Sequence, residues 1–144
     1  MDYTSLAREF MEIMYKMRKR NSQRQISESM HGEIFVLSYI DHHEGSVIPS
    51  EISNEVGIST ARVAATLNGL ESKGLITRRI DVNDRRRILV EMTPEGKEEV
   101  KKHYQKMMKT ATNMLQYLGE QDAKEYIRIM GKLADKNHED FFDS

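Results

Sequence analysis

The stretch VIPSEISNEVGISTARVAATLNGLESKGLI, residues 47–76, leaves the chain little choice of local structure. Pro49 presets the backbone for a first helical turn, where its missing N–H has no partner to lose. Gly57 predicts a left-handed stop one short helix later. Ser59 then offers a hydroxyl cap to a second helix, which carries Val63, Leu67 and Leu70 on one stripe and ends at Gly74. Ile52 and Val56 give the first helix an inward face. Helices this short are marginal alone, so the two must be held by packing across a Gly-containing turn, which makes a helix-turn-helix unit.

After Gly74 the period changes. LITRRI and RRILVEM have the alternating, β-branched character of strands, and VND supplies turn residues, so 75–93 predicts a hairpin with an arginine-rich tip. Thr93 and Pro94 predict the cap and first turn of a helix running through Val100, Tyr104, Met107, Met108, Ala111, Leu115 and Leu118 to Gly119. A last helix would hold Tyr126, Ile127, Met130, Leu133 and Phe141. On the other side, Leu6, Phe10, Ile13, Met14 and Met17 space an amphipathic helix from Thr4 to about Arg20. A polar stretch, NSQRQISES, precedes a strongly apolar helix through Ile34, Phe35, Leu37 and Ile40 that stops near Gly45. Neither internal repeats nor low-complexity linkers interrupt this series.

The formal net charge of -1 hides a polarised distribution. Residues 60–87 hold seven basic groups (Arg62, Lys73, Arg78, Arg79, Arg85, Arg86, Arg87) against three acidic ones (Glu71, Asp81, Asp84), a local balance of +4. Residues 120–144 hold seven acidic groups against four basic ones, a balance of -3. Salt screens charges beyond roughly 8 Å at physiological ionic strength, so a basic stripe can attract a phosphate backbone while the far side is acidic.

Other chemistries are closed or weakly supported. With no cysteine among 144 residues there is no disulfide framework, thiol nucleophile, cysteine zinc site or thiol redox sensor. A phosphate-cradling glycine loop and a standout Ser/His/Asp spacing are both missing, so the chain reads as no enzyme and implies no cofactor. His42, His43 and Glu44 are adjacent rather than spaced on one helical face, and His31, His103 and His138 are scattered, so no standard metal spacing appears. Without a run of about 18 apolar residues or a signal-peptide pattern, no membrane association and a cytoplasmic location are expected.

A helix-turn-helix followed by a basic hairpin is the arrangement of a winged helix. The ordered pieces EIS, LESKGLITR, DVNDRR and MTPEG closely resemble the MarR family of bacterial transcription regulators, and with the flanking helices the resemblance covers nearly the whole chain. It implies a mainly α fold with a small β-hairpin (α+β) in a single chain, 1–144. A winged helix-turn-helix lobe would span 29–93, and 1–28 with 94–144 would form a helical dimerisation region. The implied protein is a homodimer on double-stranded DNA with a pseudo-palindromic operator, its two recognition helices roughly 34 Å apart. Family habit points to a repressor released by a small-molecule effector.

The resemblance also assigns residues. The recognition helix, about 59–73, would enter the major groove with Ser59, Thr60, Ala61, Arg62, Ala65, Thr66 and Asn68 outward. Arg62 suits a guanine or phosphate contact, Thr66 and Asn68 polar contacts, and the alanines close approach; the plainer alternative is a solvated helix face. In the wing, 81–87, Asp84 matches the family's aspartate two residues before the minor-groove arginine, here Arg86. Arg78, Arg85 and Arg87 would serve phosphates or the fold, and Arg87 departs from the small or apolar residue expected there. Alternatively these arginines pair with Asp81, Asp84 and Glu91. An aromatic or phenolic effector would be lined by Tyr15, Met17, His31 and Tyr39, each of which also suits core or surface. A protein-binding winged helix without DNA affinity, or a metal-responsive regulator, are the alternative readings of the whole.

Overall fold

A computed structural model describes residues 2–20 and 29–135. Within them lie helices α1 (Tyr3–Arg20), α2 (Ser29–His42), α3 (Pro49–Val56) and α4 (Thr60–Ser72), strands β1 (Ile76–Ile80) and β2 (Ile88–Met92), and helices α5 (Pro94–Leu118) and α6 (Glu120–Asp135). Most of the polar stretch after α1, and Phe141, lie outside the described residues. No described helix is long and apolar enough to cross a membrane.

The chain divides into two compact units, residues 22–102 and residues 1–21 with 103–144. In the first, the winged-helix lobe, the punctuation acts as the residue chemistry dictates. Gly57 adopts φ 78° and donates its N–H to the Ser53 carbonyl at 2.9 Å; a side chain at that φ would be strained. The Ser53 hydroxyl donates to the Ile58 carbonyl at 2.6 Å, tying the turn to the helix before it. Ser59 Oγ accepts from the Arg62 N–H at 3.1 Å, capping α4.

The two strands pair antiparallel in the register Ile76↔Met92, Arg78↔Val90 and Ile80↔Ile88. A third contribution to this sheet was not legible from the pattern. Val47, two residues before Pro49, bridges to β2, donating to the Val90 carbonyl at 3.0 Å and accepting from its N–H at 2.7 Å. The lobe's core gathers Val36, Leu37, Ile40, Val47, Ile52, Val56, Val63, Leu67, Leu70, Ile76 and Val90, all almost wholly buried. Val100 also packs into it, so the first turns of α5 belong with the lobe rather than with the helices after residue 93.

Thr93 fixes where α5 begins. Its hydroxyl accepts from the Gly96 N–H at 2.9 Å and donates to the Gly74 carbonyl at 2.7 Å. Gly96 is required by close approach, since a Cβ there would stand 2.1 Å from the Leu75 carbonyl oxygen.

In the second unit α1 packs on α6 around Ala7, Phe10, Ala111, Leu115, Ala123 and Ile127. The Phe10 and Tyr126 rings lie 5.9 Å apart, and Lys16 pairs with Asp135 at 3.0 Å. Several residues placed on inward stripes by their spacing are exposed instead, namely Met14, Tyr104, Met107, Tyr126 and Leu133; Met114, Tyr117 and Ile129, which lay on no expected stripe, are exposed as well. Among the described residues, the apolar faces of α5 and α6 thus extend beyond the side chains buried in the unit's core.

Candidate nucleic-acid interface

The outer face of α4 follows from its inner one. Burying Val63, Leu67 and Leu70 turns Thr60, Ala61, Ala65 and Asn68 outward, with Arg62 and Thr66 half-exposed at the margin. Small side chains over most of this face leave the helix backbone approachable by another large surface. Ser59 is exposed, but its hydroxyl already serves as the cap.

The wing tip, residues 81–87, is internally braced. Asp81 donates its N–H to the Arg87 carbonyl at 3.0 Å, and Arg87 donates its own to the Asp84 carbonyl at 2.9 Å. The Asp81 carboxylate, nearly buried, accepts from the Asn83 N–H at 2.9 Å, while Arg87 Nη1 lies 3.9 Å from its other oxygen. The unexpected Arg87 thus stands beside a carboxylate at the base of the loop. Polar atoms taken from water need such hydrogen-bond partners.

Asp84 Oδ1 accepts twice from Arg86, from the backbone N–H at 3.1 Å and from Nε at 3.2 Å. The Arg86 side chain is otherwise 92% exposed. Grip at Nε orients the guanidinium plane and leaves the terminal amino groups, the fork that recognises carboxylate or phosphate, turned to solvent. An exposed pair of this kind contributes little stability; its effect is to restrict direction.

The neighbouring arginines differ. Arg79 donates to Glu91 Oε1 through Nε at 3.2 Å and Nη2 at 2.8 Å, across the hairpin. Arg78 Nη2 donates to Asn68 Oδ1 and to Glu71 Oε1, both at 2.8 Å. The Arg78 hydrogen bond and charge hold the Glu71 carboxyl below its ordinary value of 4.5. Lys73 pairs with Glu33 of α2 at 2.6 Å. Five of the seven cations counted in 60–87 therefore have acidic partners, two of them (Glu33 and Glu91) from outside that window. Among the described residues no acidic group pairs with Arg62 or Arg85. The sequence count of +4 overstates the surplus, because a window of sequence excludes partners that folding brings in.

Glu71, Glu33 and Asp81 were not singled out as site residues. Glu71 had one available signal, an acid on the last turn of a helix that leads directly into a basic strand. Glu33 lies 40 residues from Lys73, beyond reach of any local pattern.

The other candidates belong to different units. Tyr15 and Met17 are half-buried on α1 in the helical unit, whereas Tyr39 is buried in the lobe's core with its ring 6.2 Å from that of His43. His31 lies in α2, its side chain outside the described residues. His43 Nε2 stands 3.2 Å from Glu51, and among the described residues no three acidic or histidine side chains gather where they could hold a metal ion.

Comparison with known proteins gives a consistent background. Residues 29–87 match the sequence profile of the MarR family. An uncharacterized HTH-type transcriptional regulator of Bacillus subtilis, YwaE, is 29% identical over 94 residues, covering 65% of this chain and 55% of that protein. The chain thus matches little more than half the length of the first such relatives. Among solved structures, the YusO protein from Bacillus subtilis superposes with a TM-score of 0.65 at 26% identity, covering 91% of this chain and 90% of its own. Streptococcus pneumoniae FabT, solved in complex with DNA, shares the fold with a TM-score of 0.59 at 24% identity, covering 91% of each chain.

Proposed function

We propose that the chain is a winged-helix transcription regulator of the MarR family, whose profile it matches over residues 29–87, and that it binds double-stranded DNA sequence-specifically as a repressor released by a small-molecule effector. The observation that carries the DNA reading is the wing tip. Arg86 is held at Nε by Asp84 with its fork outward, next in sequence to Arg85, and the wing follows a helix whose outer face is small and polar. A preoriented arginine suits the enhanced negative potential of a narrow minor groove, and Arg62 and Thr66 suit the major groove beside it. The DNA-bound relative FabT supports the same partner.

The reading includes a homodimer. Tyr104, Met107, Met114 and Tyr117 on α5, with Ile129 and Leu133 on α6, give the helical unit an apolar surface that a second copy would cover. A two-fold dimer would present two recognition helices to a pseudo-palindrome. Tyr15, Met17, His31 and Tyr39 remain the proposed surroundings of an aromatic or phenolic effector, whose binding would shift a population between two arrangements.

The test is binding to duplexes from the gene's own neighbourhood across a salt series. Affinity should fall steeply with salt and favour one fragment. A folded protein that binds none of them, or that binds a protein partner through the wing instead, overturns the reading. Arg86→Ala should weaken binding to the favoured fragment by about tenfold or more without lowering the melting temperature; binding like the parent's would remove that arginine from the minor groove.

A further inference from the structure

We infer that Arg78 acts as a positioning residue rather than a phosphate ligand: it braces the wing against the recognition helix and fixes the Asn68 amide with its NH2 group outward. The inference rests on the DNA-binding reading and specifies how this lobe would discriminate among sequences.

Arg78 spends its Nη2 group on two partners, Asn68 Oδ1 and Glu71 Oε1, at 2.8 Å each. An arginine amino group carries two N–H donors, so both are taken. Asn68 and Glu71 are three residues apart on α4 and share one face, and the single guanidinium spans from β1 to both. The strand that carries Arg78 is itself anchored. Its cross-strand partner is Val90, wholly buried and bridged to Val47.

The Arg78 side chain is 25% exposed, against 92% for Arg86. Turning its Nη2 group to a phosphate would break both bonds and leave the Glu71 carboxylate without its counter-charge. At the same end of α4, Lys73 pairs with Glu33 of α2. Helix, strand and lobe are thus tied where the recognition helix runs into the wing, and the tie sets the spacing between the two elements that would enter adjacent grooves.

The chemistry also fixes an atom assignment. A guanidinium has donors only, so the Asn68 atom facing it is the amide oxygen. The outward group is then the NH2 donor, suited to an acceptor such as a base N7, a thymine O4 or a phosphate oxygen. The bidentate adenine contact, which needs the amide oxygen as acceptor, would require Asn68 to leave Arg78.

The experiment compares the full-length parent with Arg78→Met, Glu71→Ala and Arg85→Ala. The probes are a duplex selected from a random pool by the parent and a scrambled duplex of the same composition, each measured over a salt series below the melting temperature. For Arg78→Met the selected duplex should be bound about three- to tenfold more weakly, the size expected within one coupled network. Affinity for the scrambled duplex, and its salt slope, should stay at the parent's values. Glu71→Ala should reproduce that loss of discrimination, which keeps the inference testable if Arg78→Met does not fold. Arg85→Ala should weaken both duplexes and lower the slope by about 0.9 for each phosphate no longer neutralised. A lowered slope for Arg78→Met makes it a phosphate ligand and overturns the inference, as does unchanged discrimination in Arg78→Met or, should that variant fail to fold, in Glu71→Ala. A parent that selects no duplex refutes the DNA-binding reading instead.

Discussion

The two units solve the problem of a core differently. The lobe fills its interior with branched aliphatics from α2 through β2, Leu37, Ile40, Ile52, Val56, Val63, Leu67, Leu70, Ile76 and Val90, each almost fully buried. The helical unit builds on three alanines with Phe10, Leu115 and Ile127, while larger apolar side chains such as Met107, Met114, Tyr117 and Leu133 remain exposed. Small residues bring helices close but bury little area each. The lobe buries its large apolar side chains, and the helical unit leaves several of its own exposed.

The sharpest way to break this contrast is inside the lobe. Ile52→Ala should cost about 2–5 kcal/mol, the range for emptying a close-packed site. In a denaturant titration that loss should not depend on protein concentration. A smaller effect is expected on the outer face of α5, where Met107→Glu with Met114→Glu should leave the lobe's stability alone and convert a dimer to monomer in analytical ultracentrifugation. If the parent is itself monomeric, or the double variant remains dimeric, the exposed apolar surface has another use.

The smallest effect concerns surface ion pairs. Arg78 holds Glu71, and Arg128 holds Glu125, below their ordinary pKa by side-chain hydrogen bonds. A carboxylate with a depressed native pKa stabilises the fold above its unfolded pKa, and the gain is lost as pH falls through the native one. Melting temperatures of Glu71→Gln and Glu125→Gln should therefore fall slightly below the parent's near neutrality and converge with it as pH drops below 4.5. Both groups are solvent-exposed, so added salt should shrink the difference. The Glu71 pair joins a helix to a strand whereas the Glu125 pair stays within one helix, so only the first should also alter DNA discrimination.

Much of the lobe was legible because its signals are local. Pro49, Gly57, Ser59 and Thr93 each act on backbone within a few residues, and the change from helical to alternating period at Gly74 marks the hairpin without reference to the rest of the chain. The Asp84 and Arg86 pair was expected from the family resemblance, not from a local signal, and the two residues are hydrogen-bonded within one loop. Burial on α5 and α6 was less legible. A helical stripe says which residues could face a partner, and Tyr104 and Met107 lie on such a stripe yet are exposed within one copy.

By itself, then, the sequence determined the kind and order of the elements and the turns between them, all consequences of steric and hydrogen-bonding preferences that operate over a turn or a loop. Only the tertiary structure decided which charges remain available. Glu33, Glu71 and Glu91 reach Lys73, Arg78 and Arg79 from other elements, and Val47 joins the sheet from before the helix-turn-helix. Those pairings depend on how helices and strands approach one another as they bury the lobe's core, a geometry that no local spacing encodes.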